Sequence, residues 1–193
     1  PSEFNKMVVP DVCIQGDARV VAEELLPLVE PSDTSAWLSQ VEEWRKKYPL
    51  KYRKQGGLRA QHVLDRLNAI TQGRAIISTD VGQHQMWAAQ FCKVTDSRNW
   101  LSSGGAGTMG FGLPAAIGAA FARPDQDVWA IVGDGGFQMT QAELATAGIH
   151  KLRVKCLIIN NNYLGMVRQW QQLLHGSRFS ETYSEALPDF VKL

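Results

Sequence analysis

Val128-Trp129-Ala130-Ile131-Val132-Gly133-Asp134-Gly135, followed downstream by Cys156-Leu157-Ile158-Ile159-Asn160-Asn161, decides the fold. Each stretch is an apolar run of strand length that ends in a polar turn, the pattern of a parallel strand buried on both faces. Asp134 and Asn161 thus fall at the carboxyl ends of two consecutive strands, the edge of an open parallel sheet where loops converge on ligands. A carboxylate and an amide oxygen are hard donors, suited to Mg2+ that keeps some water and takes its remaining ligands from a phosphate. Gly133 and Gly135 allow the main chain to approach such a group closely. The pair reads as a magnesium-diphosphate anchor, although Asp-Gly and Asn-Asn are also ordinary turn sequences after a strand.

The alternation continues on both sides. A helix carrying Val63, Leu64, Leu67 and Ile70 stops near Gly73, and residues 75–79 are predicted as a strand leading into Asp80-Val81-Gly82-Gln83-His84. Met86, Trp87 and Phe91 mark the next helix. A glycine-rich segment, 102–112, precedes an alanine-rich helix over 113–122 that Pro124 ends. Helix 140–148, strand 154–159 and helix 164–174 complete the series. Strands alternating with helices through short polar turns predict an α/β fold, an open parallel sheet with helices on both faces.

The first third is less regular. Val12-Cys13-Ile14 is predicted as a short strand, and Asp17 as the N-cap of a helix with Val20, Val21, Leu25 and Leu28 on one face. Residues 1–30 read as the end of a domain whose body lies upstream. Residues 31–56 read as a linker, in which Trp37, Val41 and Trp44 share a helical face, and residues 57–193 as the ligand-binding domain. The basic stretch 45–54 is broken by Pro49 and is expected to be a solvated connection rather than a nucleic-acid surface.

Composition narrows the class. The 193 residues are 45% hydrophobic and 20% charged with a formal net charge of +1, which suits a globular protein and gives no electrostatic footprint for nucleic acid. No apolar run approaches the roughly 20 residues that cross a bilayer, and the opening residues do not resemble a signal peptide. Cys13, Cys92 and Cys156 are odd in number and lack metal spacing, so they are expected to be reduced, mostly buried thiols of a cytosolic or organellar protein.

Gly105-Ala106-Gly107-Thr108-Met109-Gly110 satisfies the dinucleotide pattern Gly-x-Gly-x-x-Gly. The residues before it, 98–103, do not read as an apolar strand, and no acidic residue closes a following strand in the ribose-binding role. The better reading is a loop laid against a flat ring, with Met109 as a flexible apolar buttress.

Gly133-Asp134-Gly135 with Asn160-Asn161, 27 positions from the aspartate to the second asparagine, resembles the thiamine-diphosphate fingerprint. Gly82-Gln83-His84-Gln85-Met86-Trp87-Ala88-Ala89-Gln90, Ser103-Gly104-Gly105-Ala106-Gly107-Thr108-Met109-Gly110 and Leu164-Gly165-Met166-Val167-Arg168-Gln169-Trp170 are similar to the catalytic large subunit of acetolactate synthases. The ending, residues 187–193, is most similar to the bacterial biosynthetic type.

The resemblance implies a residue-by-residue site. Asp134, the Asn161 side chain and the Tyr163 carbonyl would hold Mg2+. Gln83, His84, Gly135 and Gly136 would meet the diphosphate. Gly107, Thr108 and Met109 would hold the pyrimidine in a bent cofactor, with Leu164, Gly165 and Met166 also at the cofactor. Met166 and Trp170 would line the substrate channel; from spacing alone, two apolar residues four apart on a helix are more often core packing, and His84 could equally be a surface histidine. Gly136 stands where the family usually has serine.

Activity implied in this way is decarboxylation of pyruvate and condensation with a second 2-oxoacid, pyruvate or 2-oxobutyrate, in branched-chain amino-acid synthesis in the bacterial cytoplasm. The resemblance further implies a homodimer or tetramer with a small regulatory subunit, and an activating glutamate and most of an FAD site outside this chain. On that basis the chain by itself is expected to be inactive. A pyruvate oxidase or decarboxylase, or a nucleotide-binding module without catalysis, are the alternatives.

Overall fold

The computed structural model describes residues 2–193, which divide into two compact units, one ending at Pro49 and the other spanning Leu50–Leu193. In the first, α1 (Ala18–Leu25) begins where the Asp17 carboxylate accepts the amides of Arg19 and Val20 at 2.9 and 3.2 Å, the cap expected from the sequence. A single 3-10 turn, Leu26–Leu28, follows, as suits the missing N–H of Pro27. α2 (Ser35–Lys47) sets Trp37 edge-to-face against Trp44 at 5.5 Å. Neither helix buries a residue. The predicted strand at Val12-Cys13-Ile14 does not form: no partner strand lies beside it among the described residues, and an unpaired ladder has nothing to hold it.

The second unit is built on a four-stranded parallel sheet of β1 (Ile76–Thr79), β2 (Trp100–Ser102), β3 (Val128–Gly133) and β4 (Val154–Ile159), in the order β2-β1-β3-β4. Register pairs Ile77 with Trp100, Thr79 with Ile131, and Gly133 with Ile159. Six helices accompany it: α3 (Ala60–Thr71), α4 (Gln83–Phe91), α5 (Gly112–Ala122), α6 (Asp134–Thr140), α7 (Leu144–Ile149) and α8 (Gly165–Leu174).

Strand alternation sends neighbours to opposite faces. Ile76, Val128, Ala130 and Val132 pack with Leu113, Ala116, Ile117 and Ala120 of α5 and Phe137 of α6. Ala75, Ile77 and Ile131 pack on the other face with Leu64 and Leu67 of α3 and Ala88 of α4. Two cores, one per face, explain why β3 has no polar alternation.

Three expectations are corrected here. Residues 100–102 do form a strand, short and at the sheet edge, so pairing with β1 alone suffices and no long apolar run is needed. The helix expected over 140–148 starts earlier: Asp134 already opens α6, and a 3-10 turn at Gln141–Glu143 leads into α7. Gly-Asp-Gly reads locally as a turn, but an acidic residue in the first turn favours a helix start there. None of the three cysteines is fully buried; Cys13 and Cys156 are exposed and Cys92 is half-buried. Cys156 lies on β4, the outer strand.

No helix among the described residues is long and apolar enough to cross a membrane.

Candidate functional site at the sheet switch point

The chain leaves β1 toward α4, which packs on one face, and leaves β3 toward α6, which packs on the other. Because β1 and β3 are neighbours, their loops diverge and open a crevice between the strand tips, the place where open α/β sheets bind ligands. Asp134 stands at this point. Its carboxylate is 3% exposed and accepts the amides of Gly135 (2.8 Å), Asn162 (2.7 Å) and Asn161 (3.3 Å). The tips of β3 and β4 are therefore tied together through this one side chain.

Asn161 continues the chain of contacts. Its Oδ1 accepts the Tyr163 amide at 3.0 Å, and its Nδ2 donates to Gln83 Oε1 at 3.4 Å; Gln83 in turn donates to Gln169 Oε1 at 2.8 Å. α8 comes so close here that a Cβ at Gly165 would sit 2.8 Å from Asn161 Nδ2 and closer still to Gln83 Oε1. His84 is buried rather than on the surface, and its ring occupies space that a Cβ at Gly82 or Gly133 would take, each 2.9 Å from Cε1. Burial pushes its imidazole below the usual range, against the pull of the Asp80 and Asp134 carboxylates. The buried Nε2 has no hydrogen-bond partner among the described residues.

Gln83, His84, Met109, Asp134, Gly135, Gly136, Asn161, Tyr163, Leu164 and Gly165 all line one cleft, together with Trp87, and its cavity volume of about 30 Å³ is enough for ordered water. Gly107 and Thr108 lie beside it on an exposed loop, Gly107 at φ +64 and the Thr108 amide bonded to Ser103 Oγ at 3.0 Å. Met166 and Trp170 lie outside the cleft lining, on α8. Trp170 is 56% exposed, so the core-packing reading drawn from its spacing does not hold.

One residue of this region carries no role in the sequence reading. Asp80, 0% exposed at the tip of β1, accepts Val81 N at 2.6 Å, Gly110 N at 3.0 Å on both oxygens and Gly112 N at 3.3 Å. It fastens the loop that ends in Met109 to the sheet, and Thr140 Oγ1 donates to the Gly110 carbonyl from the other side at 3.0 Å. Its position after a strand, the same as that of Asp134, was the available signal.

The donor set suits a small hard cation bound with a diphosphate. Asp134 is a buried carboxylate with no salt-bridge cation among the described residues, and Asn161 adds an amide oxygen. No cluster of three His, Cys, Asp or Glu side chains that could hold a metal exists among the described residues.

Residues 80–193 match the family described as "Thiamine pyrophosphate enzyme, C-terminal TPP binding domain". Over its whole length the chain is 46% identical to "Acetolactate synthase" of Mycobacterium leprae, 43% identical to "Acetolactate synthase isozyme 3 large subunit" of Escherichia coli, and 46% identical to "Acetolactate synthase large subunit" of Pyropia yezoensis. It spans 33 to 35% of the length of these relatives. With the family match beginning at Asp80 and taking in both strand tips and the cleft between them, the chain belongs to the thiamine pyrophosphate enzymes, through a C-terminal TPP-binding domain matched over residues 80–193.

Proposed function

We propose that the chain supplies the diphosphate-and-metal half of the cofactor site of an acetolactate synthase. The observation that carries this is the Asp134 carboxylate bonded to the amides of Asn161 and Asn162, which puts a carboxylate and an amide side chain at adjacent strand tips. Asp134, Asn161 Oδ1 and the Tyr163 carbonyl would hold Mg2+. Gln83, His84, Gly135 and Gly136 would meet the diphosphate, with the neutral His84 ring able to donate or accept without adding charge. The loop of Gly107, Thr108 and Met109 would orient the pyrimidine, and Leu164, Gly165 and Met166 would close the cofactor's side, with Met166 and Trp170 toward the substrate.

Bound thiamine diphosphate supplies the nucleophilic carbon and electron sink for decarboxylating a 2-oxoacid. This chain's residues bind and orient it. In this reading pyruvate is the donor, and pyruvate or 2-oxobutyrate the acceptor, in branched-chain amino-acid synthesis; the relatives' printed name, acetolactate synthase, supports the class of reaction. The same reading takes in a cytoplasmic assembly of two or four catalytic subunits with a regulatory subunit, and an FAD site elsewhere in the protein; the words "large subunit" in two relatives' names support only a second kind of subunit. The chain alone would turn over no pyruvate.

Calorimetry with thiamine diphosphate tests the site: binding should require Mg2+, and Asp134→Asn should weaken it by at least about tenfold to a hundredfold. Cofactor binding that is unchanged by a chelator, or tighter binding of ATP, would overturn the proposal.

A further inference from the structure

Tyr163 is held from behind by a segment far along the chain. Residues 180–184 run antiparallel to 162–164, with Leu164 N donating to Thr182 O at 2.8 Å and Ser184 N to Asn162 O at 2.9 Å, around the bridge Tyr163–Tyr183. In this pairing the two facing residues exchange no hydrogen bonds, so each turns its own N–H and C=O to the opposite edge. The Tyr163 N–H accordingly meets Asn161 Oδ1 at 3.0 Å. By the same pattern its carbonyl falls on that edge of the bridge, the edge of the Asn161 side chain, and away from residues 182–184. No backbone N–H among the described residues donates to that carbonyl.

Side chains lock the arrangement. The Tyr163 ring lies 5.0 Å from that of Tyr183 and 3.9 Å beneath the Arg168 guanidinium, which also reaches Phe179 at 5.2 Å. Gln171 on α8 fastens the segment, donating to Ser180 O at 2.9 Å while its Oε1 accepts Ser180 N and Thr182 Oγ1, each at 3.4 Å. Asn162, just before Tyr163, has φ +60, a conformation a free loop would readily leave.

We propose that residues 180–184 form a strap that sets the direction of the Tyr163 carbonyl, and that Gln171 is a positioning residue for the divalent cation through it. The proposal rests on the metal-diphosphate reading of the cleft. Mg2+ demands near-ideal octahedral ligands at short distance, whereas Ca2+ tolerates irregular ones. Loosening the strap must therefore cost Mg2+ more than Ca2+, a discrimination that general destabilisation would not produce.

The experiment measures Mg2+ and Ca2+ affinity of the 193-residue chain in the presence of thiamine diphosphate, together with hydrogen exchange of the Leu164 amide. Gln171→Leu and, as a backbone lesion, Ser184→Pro should each speed Leu164 exchange and raise the Mg2+ dissociation constant about tenfold, with Ca2+ moving less than about threefold. Equal losses for the two ions, or unchanged affinities once Leu164 exchanges faster, would overturn the strap. Unchanged exchange in both variants would do the same. A wild-type chain that binds neither ion would instead refute the metal reading itself.

Discussion

Asp80→Asn keeps the shape of a side chain that is 0% exposed and replaces one acceptor oxygen with a donor. With the remaining oxygen at Oδ1, Val81 N and Gly110 N stay bonded while the new NH2 confronts Gly112 N; with the amide flipped, Val81 N loses its partner. Either way one buried N–H is orphaned, at about 1 to 3 kcal/mol, and the surviving bonds lose their charge assistance, about 1 kcal/mol each. Burying a neutral amide in place of a carboxylate offsets part of this. The net loss should be about 2 to 4 kcal/mol, a fall in Tm of about 5 to 15 °C for a domain of this size. Thermal and urea unfolding read the stability, and hydrogen exchange at Gly110 and Gly112 reads the loop. A loss below about 0.5 kcal/mol, the range of ordinary surface substitutions, would refute the reasoning, as would unchanged exchange at those two amides.

A Cβ at Gly136 would lie 2.8 Å from Asp80 Cγ and Oδ1, and Asp80 is held too firmly to withdraw; Gly136→Ser should cost about 1 to 3 kcal/mol in urea unfolding, and an unchanged or raised midpoint would contradict this. Burial, with the Asp65 charge adding to it, pushes the Cys92 thiol up to about 11. At pH 8 only ~0.1% of it is thiolate, so alkylation followed by mass spectrometry should label the exposed Cys13 well before Cys92, with the Cys92 rate rising about tenfold per pH unit. Equal rates at pH 8 would count against it.

What could be read from the residues depended on how locally each feature is encoded. β3 was legible because a strand buried on both faces needs a continuous apolar run, β4 because it keeps such a run although it lies half-exposed at the sheet edge, and α3 and α8 because their apolar residues recur at helical spacing. β2 was not, since three residues paired on one side need no such run. The early start of α6 was hidden because Gly133-Asp134-Gly135 is locally a turn sequence, and the link from Tyr163 to Tyr183 because it is made by contacts across an intervening helix. The exposure of Trp170 was equally out of reach: spacing gives a face of a helix, and only tertiary structure says what that face meets.

Asp80 and Asp134 show where such reading stops. Both follow buried strands, both are almost inaccessible, and both accept backbone amides, so neither their place after a strand nor their burial tells them apart. Their partners separate them. Asp80 accepts from Gly110 and Gly112, 30 and 32 residues on, which return over it and leave it outside the cleft lining. Asp134 accepts from Asn161 and Asn162 at the neighbouring strand tip, which leaves it lining the open crevice. The direction in which the next strand's loop returns, over the carboxylate or beside it, makes one aspartate an internal fastener and leaves the other facing a ligand.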